Sequence, residues 1–479
     1  MNILSRFQWT RVLFTLLILA MISSCASREN PAPASASQSW SQSDLEQIVE
    51  NWRLKTNIPG VVVGISQLEQ ANIVIVSGVS SIQEGTPISK TAQFRIASIV
   101  KTFIAAEVLK LSAQGKLKLD APISEYLPDV KFGGKITVRH LLSHRSGYFD
   151  PARDDPNFIP EIAKHMTKVW TWQEVLNQVY QHPLYFEPGT AYDYSDTNYL
   201  LLGLLIEHIT GQDLGDVLTT DFIKPLHLTH TLYETLDTDH IQTQLVHGYA
   251  ENPLNGKLED ILALPQSALV TISPNLISDA ADLLHWSRAL YGKDAEALGP
   301  ELQSAMLTFD ELSPYGLGVF KSTSAIGISY GHGGETAGYQ SLMEYFPEHD
   351  LAVAILINTG FPSTNLNELL QSLLNVMFGS SAEAEVDKLI ADLTSSDSTV
   401  RKDAVIALGR SGPAAEKTIP DLILLLRSDP IPEIRKESAL ALGLLGKNSD
   451  SAKQALIDAT QDADVSVREA AELALSVLK

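Results

Sequence analysis

Cysteine is almost missing from this sequence: Cys25 stands alone among 479 residues, so no internal disulfide can staple the fold. Positive charge is also scarce. Lys and Arg number 35 against 57 Asp and Glu, giving a net charge of -22. A surface that acidic repels phosphate backbones and anionic headgroups, which argues against nucleic acid as a partner. Long apolar runs are absent too. The run at residues 12–22 is far shorter than the roughly 20 residues a membrane-spanning helix needs. What remains is an ordinary globular profile, 44% hydrophobic and 19% charged with mean hydropathy +0.03, which argues against wholesale disorder. A chain of 479 residues exceeds the roughly 250–300 at which single cores stop growing, so two folded units are expected.

The first 24 residues place Arg6 and Arg11 ahead of the apolar run, the layout of an export signal. The run ends at Ile22-Ser23-Ser24-Cys25, which resembles the lipobox of bacterial lipoproteins and implies that Cys25 becomes the lipidated first residue. Cleavage of residues 1–24 removes two cations and takes the charge from -22 to -24, so lipid rather than charge would hold the protein to a membrane. Ala26 and Ser27 stand where an aspartate favours inner-membrane retention, pointing to an exported protein sorted to the outer membrane of a bacterial envelope. Residues 25–40, rich in Pro, Ala and Ser, read as a flexible tether.

Folding is expected from Ser41. Leu45, Ile48, Val49 and Trp52 recur at helical spacing, and after Pro59-Gly60 two strands follow at 61–68 and 72–77. Val100, Phe103, Ile104, Val108 and Leu111 share one face of a helix that Gly115 ends. Residues 136–289 read as an inserted α-rich region. Strands return at 315–320, 327–330, 339–346 and 351–357, followed by a closing helix to about Phe378. Residues 41–379 are therefore an α+β unit, an antiparallel sheet assembled from both ends of the segment and flanked by helices.

Residues 383–479 have a different texture. Arg401, Arg435 and Arg468 recur at spacings of 34 and 33, each followed by an Ala/Leu-rich helix. A fixed period of that size means stacked units, and the pattern resembles HEAT-like repeats. Such repeats are expected to pack on one another and hardly at all on the sheet, offering a surface to a protein partner.

Three short elements carry the chemistry. Ser98-Ile99-Val100-Lys101 puts a hydroxyl and an amine on one helical face. Burial would bring the lysine's pKa down toward that of a useful base, and the helix N-terminus supplies N–H groups for an oxyanion. The plainer alternative makes Ser98 a helix cap and Lys101 a surface residue. Tyr194-Ser195-Asp196-Thr197-Asn198 opens the next strongly apolar helix and offers a phenol for proton transfer, or only a tyrosine-rich turn. Gly331-His332-Gly333-Gly334 reads as a turn after a strand, where glycines let backbone approach a ligand and an imidazole can donate, or where the histidine is merely exposed.

In order and separation these elements resemble the S-x-x-K, Y-x-N and K-T-G boxes of penicillin-binding proteins, D-alanyl-D-alanine carboxypeptidases and class C beta-lactamases. The segment Arg139-His140-Leu141-Leu142-Ser143-His144-Arg145-Ser146-Gly147 strengthens the likeness, as does Ser278-Asp279-Ala280-Ala281-Asp282-Leu283. The resemblance implies a beta-lactamase/transpeptidase-like fold and an acyl-enzyme mechanism without metal or cofactor. Ser98 would be the nucleophile, Lys101 would accept its proton, and Tyr194 would pass a proton to the leaving group. The backbone at Ser98 and at Gly333, Gly334 and Glu335 would frame the oxyanion, and His332 would face a substrate carboxylate. His144 and Ser146 are expected to support the site from behind. Two departures stand out. Asp196 occupies the place of an asparagine, with Asn198 as a partial substitute, and His332 replaces a permanently charged lysine. Both disfavour efficient beta-lactam hydrolysis. The resemblance points to a small peptide or ester with a D-amino acid as substrate, with a true beta-lactamase and a catalytically silent binding protein as the alternatives.

Overall fold

A computed structural model describes residues 40–478 apart from 68–70, 165–169, 235–244, 253–255, 263–275, 311–312, 325, 361–363 and 448. The export signal, Cys25 and the tether up to residue 39 lie outside the described residues. Residues 42–478 belong to one compact unit. No helix among the described residues is long and apolar enough to cross a membrane.

The core is a seven-stranded sheet made of β1 (Gly60–Gln67), β2 (Ile73–Ser81), β3 (Thr86–Pro87), β4 (Phe320–Ser324), β5 (Gly327–Thr336), β6 (Tyr339–Phe346) and β7 (Leu351–Ile357). Its order is β3-β2-β1-β7-β6-β5-β4, antiparallel throughout. The two ends of segment 41–379 meet in the middle, where Val61 pairs with Ile357 and Gln67 with Leu351. Near-continuous apolar runs such as Leu-Ala-Val-Ala-Ile-Leu-Ile fit that position, because a central strand is covered on both faces.

Five helices organise the packing: α1 (Gln42–Thr56), α2 (Val100–Ala113), α3 (Asp196–Thr210), α4 (Ala280–Tyr291) and α5 (Leu366–Phe378). Helix α1 packs on β2 and α5, while α4 lies across β1, β6 and β7. Phe103 of α2 stacks on Trp286 of α4 with centroids 3.7 Å apart at 9°, and the Trp286 indole N–H donates to Thr102 at 2.8 Å. These contacts lock the helix that follows Ser98 to the helix on the sheet.

Helices α6 (Ser380–Asp392), α7 (Ser398–Arg410), α8 (Ile419–Ser428), α9 (Pro432–Leu445), α10 (Asp450–Ala459) and α11 (Val465–Val477) complete the chain. The periodic arginines form a ladder: Arg401 grips Asp429 at 2.9 and 3.2 Å, and Arg435 grips Asp462 at 2.9 and 2.8 Å. Gly409 and Gly443 let successive helices touch, since a Cβ would meet Ala441 at 2.8 Å and Ala474 at 2.7 Å.

Two expectations change. The repeats do bury surface against the sheet: α7 packs on the edge strand β4, and Arg410 lies within electrostatic reach of buried Glu344 on β6. An open sheet edge is a liability that a covering helix removes. The segment His332 to Glu335 is not a turn but the second half of β5, because it continues the ladder to β6 through His332–Met343 and Glu335–Gln340.

Candidate active site

Ser98 sits where a strand gives way to a helix. Residues Ala97–Ile99 form a single 3-10 turn leading directly into α2, and Ala97 holds φ of +48°, a conformation that costs a non-glycine residue energy. The β5 backbone presses against this turn. A Cβ at Gly334 would come within 2.2 Å of the Ile96 carbonyl, so only glycine permits the approach. Ser341 on β6 donates its hydroxyl to the same carbonyl at 2.8 Å. Ser98, Gly333, Gly334 and Glu335 thus share one pocket of about 590 Å³.

Lys101, one helical turn after Ser98, is fully buried. Its ammonium donates to Ser98 Oγ at 2.9 Å, lies 2.6 Å from Asp196 Oδ1, and also hydrogen-bonds the Tyr194 phenol. The expectation of a depressed lysine pKa is reversed. Burial alone lowers it, but the carboxylate of Asp196 and the phenol of Tyr194 outweigh burial and hold the pKa above its ordinary value. Tyr194 shifts upward in turn, chiefly through burial, with the lysine charge opposing, so the phenol keeps its proton at neutral pH. At rest the cluster is an ammonium, a carboxylate, a phenol and a hydroxyl.

His332 does not present a charge. Its Nδ1 donates to the Gly333 carbonyl at 2.5 Å, and its Nε2 accepts from the Tyr315 hydroxyl at 2.9 Å. Burial, reinforced by the Lys101 charge, pulls its pKa to about 3. A neutral imidazole with both nitrogens engaged cannot replace a lysine opposite a carboxylate. Asn198 is also diverted: its amide lies 3.0 Å from His144 Nδ1 and its carbonyl accepts from Ser146 at 2.5 Å, so it braces the site from behind and does not line the pocket.

Sequence reasoning missed three contributors. Asp150 lines the pocket and accepts the Asp196 N–H at 2.8 Å, with burial and then the Asp196 charge pushing its pKa up to about 7. Arg153 lines it too, but its guanidinium binds Asp154 at 2.6 Å and Asp193 at 2.7 Å. Residues Thr364 to Asn367, at the start of α5, form another wall. The segment 150–154 carries a legible signal, an Asp-Pro helix start, but nothing in sequence says that it folds over Tyr194 and Asp196.

Residues 43–376 match the family model described as Beta-lactamase, and residues 386–476 match that of HEAT repeats. Among curated proteins the chain is 29% identical over 252 residues to Protein flp of Staphylococcus aureus, covering 51% of this chain and 48% of that protein. It is 24% identical over 315 residues to Penicillin-binding protein 4* of Bacillus subtilis, covering 63% and 68%. The chain thus spans about half the length of the Staphylococcus relative, 48%. Among solved structures, a D-stereospecific amidohydrolase from Streptomyces sp. is 27% identical with TM-score 0.61, covering 71% of this chain and 99% of that one. The D-amino acid amidase from Ochrobactrum anthropi SV3, solved with L-phenylalanine amide, is 26% identical with TM-score 0.61, covering 70% and 99%.

Proposed function

The chain belongs to the beta-lactamase family and is a serine hydrolase of the beta-lactamase and penicillin-binding type, and from that premise we propose that it cleaves amides or short peptides of D-amino acids, or the corresponding esters, through an acyl-enzyme on Ser98. The observation that carries this reading is the 2.9 Å contact between Ser98 Oγ and the Lys101 ammonium inside a pocket whose other charged walls are mainly acidic. Asp150, Asp196 and Glu335 line that pocket; among the described residues its one lining cation, Arg153, is committed to Asp154 and Asp193. A substrate carboxylate meets repulsion there, whereas an uncharged amide or a neighbouring ammonium does not. That balance favours amidase chemistry over carboxypeptidase or beta-lactamase chemistry. The names of the two amidohydrolase neighbours agree with it.

In acylation Ser98 Oγ attacks the carbonyl carbon while backbone N–H groups at Ser98 and Glu335 receive the developing oxyanion. Tyr194 lies on the path by which the leaving group gains its proton. The export signal and Cys25 support display of this enzyme on a bacterial envelope membrane, with the repeats available to a protein partner.

The test is intact-protein mass spectrometry and turnover with a D-amino acid amide, a D-Ala-D-Ala peptide, a short aryl ester and penicillin. Turnover of the amide, with a trapped acyl group on Ser98, is the expected result. Faster hydrolysis of penicillin than of the amide, or an adduct on another residue, overturns the reading.

A further inference from the structure

The Lys101 ammonium has three N–H bonds and three acceptors around it: Ser98 Oγ at 2.9 Å, Asp196 Oδ1 at 2.6 Å and the Tyr194 phenol. It has no lone pair to offer. A proton leaving Ser98 can enter Nζ only as another leaves, and the nearest group able to hold that proton is the Asp196 carboxylate. Tyr194 cannot, being already protonated. The buried surroundings also narrow the gap between an ion pair and its neutral, proton-transferred form, since separated charge is poorly solvated there.

We propose that Asp196 is the anionic end of a Ser98–Lys101–Asp196 relay, the role that lets a cationic lysine serve as the base in this chain. Asp196 acts through Lys101 and is a positioning residue in that sense. Its place is prepared: it opens helix α3, its N–H is held by Asp150 at 2.8 Å, and its side chain is 22% exposed at the pocket floor.

The steps balance. Ser98 Oγ bonds to the carbonyl carbon, its proton passes to Nζ, and Nζ passes a proton to Asp196 Oδ1. When the tetrahedral adduct collapses, the C–N or C–O bond breaks, Tyr194 gives its phenol proton to the leaving group and takes one from Lys101, and the proton on Asp196 returns to Lys101. A water molecule repeats the sequence on the acyl-enzyme, and Ser98 recovers its hydroxyl. Nothing is oxidised or reduced.

This inference rests on Ser98 being the nucleophile, so the experiment first labels the full-length wild-type protein with a fluorophosphonate and maps the adduct. Absence of label on Ser98 overturns the functional reading itself. With Ser98 labelled, kcat, KM and their pH profiles are measured for wild type, Asp196→Asn and Asp196→Glu on one uncharged aryl ester. The relay requires the wild-type acid limb to lie in the carboxylate range. It also requires Asp196→Asn to lose about 10²–10⁴ in kcat at neutral pH, as expected when a proton acceptor is removed. KM should barely change. The residual activity of Asp196→Asn should climb with pH through the neutral-to-alkaline range, since buried Lys101 must then lose its own proton, and Asp196→Glu should restore the acidic limb. A neutral-lysine mechanism predicts the opposite, an Asn variant as fast as wild type or faster. That result overturns the relay, and so does a wild-type acid limb above about pH 8, nearer the range of amines, which needs no variant to fold.

Discussion

The His144 ring lies against the Tyr194 ring, centroids 4.1 Å apart at 30°. Its Nδ1 accepts the Ser195 N–H at 3.1 Å, which leaves the proton on Nε2, and that buried N–H has no hydrogen-bond partner. The ring edge instead meets Tyr315, centroids 4.6 Å apart at 65°. Burial, reinforced by the Lys101 charge, holds His144 neutral. It acts as a shaped spacer beneath the phenol. Replacing it with alanine should open a cavity that costs about 2–4 kcal/mol, with a fall in kcat larger than any change in KM. Denaturant unfolding and steady-state kinetics check this, and a change in KM alone would contradict it.

Tyr194→Phe should lower kcat by about 10²–10⁴, the range for loss of a positioned acid-base group, while the protein stays folded. The missing hydroxyl also removes one of the three acceptors around Lys101. A tenfold effect or less would make Tyr194 a packing residue.

Glu344 gives stability a pH signature. Burial pushes its pKa up to about 7, partly offset by Ser329 and Arg410, so the folded state keeps a proton that the unfolded chain releases from about pH 4.5. Its contribution is fully present below that pH and is lost as pH rises through 7. Relative to wild type, Glu344→Gln should therefore gain Tm progressively between about pH 4.5 and 7. Parallel curves would show that Glu344 ionises normally.

Removal of the repeats should not be neutral. A protein ending at Gly379 uncovers edge strand β4 and takes Arg410 away from Glu344, so it should melt earlier and aggregate. A protein ending at Ser411 keeps α7 over the strand and is expected to be the more soluble and active of the two. Equal melting temperatures for the first truncation and the full chain would show that the packing on β4 is incidental.

Arg435→Ala should loosen the repeats without touching catalysis. It removes the bidentate grip on Asp462 and the bond to the Asp429 carbonyl at 2.9 Å. Limited proteolysis should then cut within the last repeats while ester turnover is unchanged. Cleavage as slow as in wild type would assign repeat stability to the Ala/Leu packing alone.

By itself the sequence determined what local pattern can encode. Alternating and apolar runs specified strands at 339–346 and 351–357, helical spacing placed Ser98 and Lys101 on one face, and the recurring arginines announced stacked units. Strands at both ends of one segment showed that a single sheet draws on both, while the pairing of β1 with β7 at its centre came from the tertiary structure. What the sequence could not settle was the charge state of the site, because a pKa depends on neighbours brought from far along the chain. Lys101 is set by Asp196 and Tyr194, Asp150 is pushed up by burial and the Asp196 charge, and His332 is kept neutral by burial and the Lys101 charge. The docking of α7 on β4 escaped notice for the same reason. Periodicity shows that a helix has an apolar face, and only the tertiary structure decides what covers it.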